Sequence, residues 1–497
     1  MRGLLLFVAL LVVALSLGAQ PPAVAQKAAR AKQLLTENKF AEAAVLYGEL
    51  AKAYPQNPGL LLNHGMALHM AGKDKQAIGP LNAALKIDPQ IPPAWLFLGA
   101  SYLRSSEPAK AIPHLEKFTG AEPRNGEVRR MLVDAYAAIE KPAKALPHWE
   151  VLAELEPRNP SVLYGLGRAW EAYAAKQFDL LAKQHAESAY FFAMLGETRS
   201  RTRERRAAFY FFRKALERSP QIRGVHGAIA EIYRLEDKPE WALAEEAAEA
   251  KLGAPDCGQA PAECLFRQGS YHSALAAARK SNTAHDIYWR VKAANEIAKL
   301  TFTKLESLGP TTEGYRFQAE LLALERRWPE AVEAWREARR LEPENPVWTR
   351  ELAFALLENK NYEEAAKLAS ALLQRFPEDP QLLHLSGDIE LAQQVPEKAI
   401  PLLEKSVTLE PRNLLARSSL ARALMQAGRA TDALPHAQAI LPLDTDGSLH
   451  FQLARAYQAA GKAEEAKRAM AEYQAARAKL QEQEENLAGE MQIAPPL

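Results

Sequence analysis

The sequence predicts an all-α protein, a solenoid of about fourteen antiparallel helical hairpins, and three observations lead there. Alanine returns at a period of 34, at Ala43, Ala77, Ala111 and Ala145, again at Ala208 and Ala242, and again at Ala331, Ala365, Ala399, Ala433 and Ala466. Twelve residues after most of these stands a proline: Pro55, Pro89, Pro123, Pro157, Pro220, Pro343, Pro377 and Pro411. Between the two marks the apolar residues keep helical spacing, so that Trp95, Leu98, Gly99 and Tyr102 share one face and Ala111, Leu115 and Phe118 another. A fixed period in the range of roughly 20–50 residues means stacked supersecondary units rather than one closed core.

The chain opens with "MRGLLLFVALLVVALSLGAQPPAVAQ": a basic Arg2, an apolar run from Leu4 to Leu17 and a small-x-small stretch at Ala23–Ala25. This is the layout of a secretory signal peptide over residues 1–25. The alternative, a retained anchor, needs about 20 apolar residues to span a bilayer, and the run is shorter. The expected location is therefore periplasmic or secreted. Regular units follow over 26–159, each with two helices joined by a short turn such as "SSEPAKA" or "IEKPAKA". Successive units are punctuated by one phrase, "AEPRNG" at 121–126, "LEPRNP" at 155–160, "LEPENP" at 341–346 and "LEPRNL" at 409–414. In it proline stops one helix and asparagine can cap the next.

The period breaks twice. The interval from Ala145 to Ala208 leaves room for a short irregular hairpin at 160–188 before regular units resume over 189–252. Residues 253–311 read as a cysteine-bearing loop with short hairpins, and the two irregular pieces share Tyr164/Tyr288, Ala169/Ala293, Ala174/Ala298, Phe178/Phe302 and Leu181/Leu305 at one offset. Regular units continue over 312–480, and 481–497 reads as a C-terminal tail. Cys257 and Cys264 are the only cysteines. In an oxidising compartment they can close a small disulfide loop; two free thiols, or a metal site with His272 as a third ligand, are the alternatives.

Composition narrows the function. With 62 basic and 61 acidic residues the net charge is +1, unlike the basic footprint of a nucleic-acid binder. No HExxH, GxSxG, GxxxxGK[ST] or GxGxxG motif occurs, so no catalytic residue, cofactor or metal ligand is assigned and the chain reads as a non-enzyme. His64 and His69 are the only close histidines, and their spacing of five does not put them on one helical face.

The unit 92–125 carries Trp95, Leu98, Gly99, Tyr102, Ala111, Leu115 and Pro123 in the order W-x2-L-G-x2-Y, A-x3-F, P, and the next unit supplies Leu132, Tyr136, Ala145, Trp149 and Pro157. The chain thus resembles a tetratricopeptide-repeat protein over nearly its whole length after the leader. The resemblance implies a right-handed superhelix whose concave face is lined by the first helix of each unit and holds a protein or extended peptide. Residues five and nine of each unit are then the candidate groove contacts: Arg130 and Asp134, Arg350 and Phe354, His384 and Asp388, Ser418 and Arg422, Phe451 and Arg455. Charges on successive rungs, such as Asp388 and Arg422, can instead pair with each other. Small residues at Gly65, Gly99, Gly167, Gly196 and Gly387 are expected to let paired helices approach closely.

One charge cluster stands apart, "TRSRTRERRA", with Arg199, Arg201, Arg203, Arg205 and Arg206 at a turn. It is either a solvated turn paired with local glutamates or a contact for an anionic partner, such as an acidic peptide or phospholipid head groups in a peripheral membrane contact. The leading functional expectation is an interaction scaffold outside the cytoplasm that binds a protein or extended peptide. The alternative is an accessory subunit of a cell-envelope assembly or polysaccharide export machine.

Overall fold

The computed structural model describes residues 22–496, and among them every regular element is a helix. Twelve hairpins and two long single helices account for the fourteen expected units. Four hairpins run from Pro22–Thr36 with Phe40–Ala53 to Gly126–Ala138 with Pro142–Leu155, where the second arm of the fourth begins as a short 3-10 turn. Ala189–Arg201 with Arg205–Arg218, and Val225–Leu235 with Pro239–Lys251, make two more. Pro261–Arg267 with Tyr271–Ala278 is a short one, and five follow from Thr312–Leu324 to Ala463–Glu490.

By contact the chain divides into two units. One holds the described residues up to Lys183 with Asp256–Lys304, and the other holds Gln184–Pro255 with the residues from Leu305 onward. Along the regular stretches within each, a helix packs on the one before and the one after it. Each hairpin alone could not bury its apolar stripe; its neighbours cover it.

The periodic marks have physical causes. Of the eleven phased alanines, all but Ala466 are buried, where the two arms touch. Glycines complete the approach. A Cβ added at Gly65 would lie 2.4 Å from Leu81, at Gly99 2.6 Å from Leu115, at Gly196 2.5 Å from Phe212 and at Gly387 2.5 Å from Leu403, in each case the residue sixteen positions later. Within each hairpin the turn contains one residue with positive φ, at Asn38, Gly72, Ser106 and Glu140, then Arg203 and Asp237, then Gly269, then Arg326, Lys360, Gln394, Gly428 and Gly461. These residues follow the first helix in the left-handed conformation that closes helix C-termini.

Between hairpins the repeated Glu-Pro-x-Asn phrase is a hydrogen-bonded joint. The Asn125, Asn159, Asn345 and Asn413 side chains each accept from a backbone N–H of the next helix. Their amide groups donate back to Glu122, Glu156, Glu342 and Glu410 at 3.0, 2.6, 3.0 and 3.1 Å. One side chain thus satisfies an orphan donor of the new helix and ties it to the end of the old one.

Three boundaries differ from expectation. Instead of a short hairpin at 160–188 there is one 26-residue helix, Pro160–His185, because after Gly165 and Gly167 its first turns give way to helix formers without a Gly, Pro or left-handed turn residue to fold it back. Ala284–Glu306 is likewise a single helix of 23 residues. The expected tail from 481 is helical as far as Glu490, which leaves only 491–496 of the described residues without regular structure. The leader predicted for 1–25 lies outside the described residues, save its last few, which begin the helix Pro22–Thr36. No described helix is long and apolar enough to cross a membrane.

Candidate binding clefts

In the second unit, three first helices in succession, Pro346–Glu358, Pro380–Ala392 and Leu414–Gln426, are started by Asn345, Asp379 and Asn413 caps and so share one phase. That phase places Phe354, Asp388 and Arg422 at one position on three rungs. They line a cleft of about 650 Å³ together with His384 and Ser418. Arg422 Nη2 donates to Asp388 Oδ1 at 2.9 Å, and His384 Nε2 lies 3.1 Å from Asp388 Oδ2 and 3.2 Å from Ser419 Oγ. Burial alone would raise the Asp388 carboxyl, but hydrogen bonds to His384 and Ser419 and the charges of His384 and Arg422 hold it below the ordinary carboxylate value. The carboxylate is therefore charged and occupied, whereas the Arg422 side chain is more than half exposed and keeps donors for a ligand.

Apolar ground beside this ladder comes from Leu357, Tyr362, Leu391 and Leu415, which the rule of positions five and nine did not select. Leu415 is 67% exposed, so its side chain is open to a ligand at the start of its helix. Arg350 is not on the wall of this cleft; it bonds Gln381 Oε1 at 2.9 Å and its neighbour Glu351. Phe451 and Arg455 also lie off it. The Phe451 ring rests 5.1 Å from Tyr473 of the last helix, and Arg455 is exposed.

In the first unit Arg130 and Asp134 line a different cleft, of about 540 Å³, whose walls are mainly apolar: Phe40, Met70, Leu103 and Met131. Arg130 is paired with Glu156 of the joint, and burial pushes the Asp134 carboxyl up against the opposing pull of Arg130. At the edge His69, itself buried, places Nδ1 2.6 Å from Asp74 and 3.0 Å from Ser101, while Arg104 Nε holds Asp74 at 3.1 Å. Burial lowers the His69 pKa despite Asp74. His64 does not converge on it but lies against Gly48.

The remaining candidates are placed as follows. Arg199, Arg201, Arg203, Arg205 and Arg206 surround the turn between Ala189–Arg201 and Arg205–Arg218. Arg199 pairs with Glu204 at 2.9 Å, Arg205 with Glu236 at 3.1 Å and Arg201 with Glu197 at 3.9 Å; Arg203 and Arg206 are exposed and have no ion partner among the described residues. Cys257 and Cys264 are joined in a disulfide with Cα atoms 5.6 Å apart, which leaves neither as a free thiol. His272 instead packs edge-on to Trp170 at 5.8 Å. Among the described residues no cluster of three or more His, Cys, Asp or Glu side chains could hold a metal ion.

Phased hairpins that expose clefts on their first helices define a helical-repeat protein. The tetratricopeptide-repeat profiles match residues 28–92, 322–389 and 390–449, and the chain is a tetratricopeptide-repeat protein. Repeats of this family generally mediate protein–protein interaction, which makes the chain a protein-interaction scaffold. Among curated proteins none matches it in sequence. Solved structures similar in part include MamA of MSR-1, at 22% identity over 34% of this chain and 97% of that one, TM-score 0.30. MamA from Desulfovibrio magneticus RS-1 is 19% identical over 34% and 97%, TM-score 0.32. TTC0263, described as a thermophilic tetratricopeptide-repeat protein of Thermus thermophilus, is 17% identical over 36% and 99%, TM-score 0.30. At such identities and scores the likeness carries nothing about function.

Proposed function

We propose that the protein is a non-enzymatic scaffold acting outside the cytoplasm, periplasmic or secreted, and that it binds an extended peptide or protein segment across the first helices of its repeats. The observation that carries this is the ladder Phe354, Asp388 and Arg422, one rung per repeat in a cleft of about 650 Å³. An extended segment crossing the rungs meets aromatic, acidic and guanidinium groups in sequence, and the Arg422 donors that Asp388 does not use can hold a carboxylate or backbone carbonyls. The signal-like leader and the disulfide support the location, since disulfides persist in oxidising compartments.

Selection of displayed extended peptides against the wild-type chain tests the binding. Selected peptides should lose about tenfold or more in affinity to Arg422→Gln. Equal affinity for Arg422→Gln and for Phe354→Ala would remove the cleft from the reading. Sequencing the N-terminus of protein from cell fractions tests location: a start near Gln26 in the extracytoplasmic fraction is expected, and an intact leader on cytoplasmic protein would overturn it. A second reading, contact with an anionic surface or acidic peptide, is favoured by Arg203 and Arg206. It predicts binding to anionic vesicles that falls steeply with salt and is lost on replacing both by glutamine.

A further inference from the structure

Tyr233, on the first helix of the hairpin 225–251, is fully buried, packed against Phe209 at 5.6 Å and edge-on to Trp241 at 5.4 Å. A buried phenol needs a hydrogen-bond partner. Tyr136 holds the equivalent place in its own repeat, and its hydroxyl finds Glu116 on the preceding hairpin. The hydroxyl of Tyr233 instead donates to the backbone carbonyl of Ala494, 2.5 Å away and 261 residues later in the chain, within the same contact unit. The chain leaves that unit at Pro255 and rejoins it from Leu305, and residues 491–496, which follow the end of the last helix at Glu490 without regular structure, bring Ala494 to Tyr233.

The segment is suited to such a seat. Its Met491, Ile493 and Pro496 are half-buried while Gln492, Ala494 and Pro495 are exposed, so every second or third side chain is partly withdrawn from solvent. Pro495 biases Ala494 towards extended backbone, and the Pro495-Pro496 pair is already stiff in the polyproline form, so little conformational freedom is lost on docking. Neither proline has an N–H, so the two residues after Ala494 offer its carbonyl no donor. Aromatic side chains offering a hydroxyl or N–H to such a carbonyl are a recurrent way of reading proline-bearing peptides.

We propose that the Tyr233 face of the hairpin 225–251 is a docking site for extended, apolar, proline-bearing peptide segments, and that the chain's own residues 491–496 occupy it as an internal ligand. A partner segment of the same chemistry binds there by displacing the tail. Tethering sets the local tail concentration at roughly the millimolar level, so the full chain takes such a segment only when it competes successfully. This site is separate from the Phe354–Arg422 cleft and does not rest on peptide binding there.

The test uses a fluorescein-labelled peptide of residues 491–497, MQIAPPL, and its anisotropy on the full chain and on the chain ending at Glu490. Saturable binding to the shortened chain, with apparent affinity for the full chain at least about tenfold weaker, is the expected result. Tyr233→Phe in the shortened chain keeps the ring and removes the donor, and should weaken binding about fivefold. A folded shortened chain, checked by its helical circular dichroism, that ignores the peptide overturns the proposal; so does equal binding to both chains. Should the shortened chain lose its helical signal, the full chain with Pro495→Gly and Pro496→Gly decides the matter. Loosening the tail must then open the site to the labelled peptide, and no gain over wild type sinks the idea.

Discussion

At Gly99 an added Cβ would stand 2.6 Å from Leu115, in the other arm of the same hairpin; at Gly167 it would stand 2.5 Å from Phe302, more than a hundred residues away. Both glycines occupy the same place in their repeats and both exist to let another element come close. In the regular stretches that element is always the next helix, so each contact is local and each hairpin can form with its neighbours alone. Helix Pro160–His185 has no second arm, and Ala284–Glu306 together with the segment 271–279 before it supplies what is missing. Tyr164 meets Phe302 edge-on at 6.4 Å, Trp170 meets His272, and Arg279 reaches the hydroxyl of Tyr173. Closing that contact requires a long loop to be ordered first. The same local rule therefore yields a repetitive stack or a long-range junction, according to whether a turn follows.

Phe302→Ala should have the largest effect, a loss of about 3–5 kcal/mol in denaturant unfolding, since it empties the junction. Adding Gly167→Ala to that variant should cost much less than Gly167→Ala alone, and strict additivity of the two would show that Gly167 and Phe302 do not meet. Next, Gly99→Ala should destabilise by about 1–3 kcal/mol through overpacking against Leu115. Its increased hydrogen exchange should stay within 92–121 and the adjoining hairpins. Exchange in the Phe302→Ala variant should instead rise in both 160–183 and 284–304, and a like pattern in the two variants would erase the distinction between stack and junction.

A smaller effect is electrostatic. Burial, with the charge of Arg129 3.0 Å away, lowers His148 in the regular stack to about 4. Because the folded-state pKa lies below the unfolded value, near 6.5, the unfolded chain binds the proton first as pH falls. This contribution is fully present above about pH 6.5 and lost progressively down to about pH 4. Lowering the pH from 7 to 5.5 should reduce stability by about 1 kcal/mol through this residue. His148→Gln should flatten that part of the profile; an unchanged slope would mean that His148 is not held neutral. Smallest of all, Glu140→Gly relieves a left-handed turn residue at φ 56° and should raise stability by about 0.5–1 kcal/mol. No gain in melting temperature would show the turn to be unstrained.

Much of the site was legible for the same reason the fold was. Once the period is known, position nine is known on every rung, and the structure brings Phe354, Asp388 and Arg422 into one cleft. Two things were not legible. Phe451, at position five of its repeat, is turned to other use because the last helix runs on to place Tyr473 against its ring. The apolar ground at Leu357, Leu391 and Leu415 depends on which side chains neighbouring helices leave uncovered, and a single repeat read alone does not contain that information.

Sequence by itself determined the hairpins, their phase and their joints, because turns, caps and 34-residue packing involve groups close along the chain. Asn159 caps Val162 and binds Glu156 whatever lies further off. Only the tertiary structure decided that Gly167 packs on Phe302, that Tyr233 is sealed by Ala494, and which charges pair across the rungs. Those contacts join residues that carry no mutual local pattern, and they form where burial of an exposed face outweighs the entropy of bringing distant segments together.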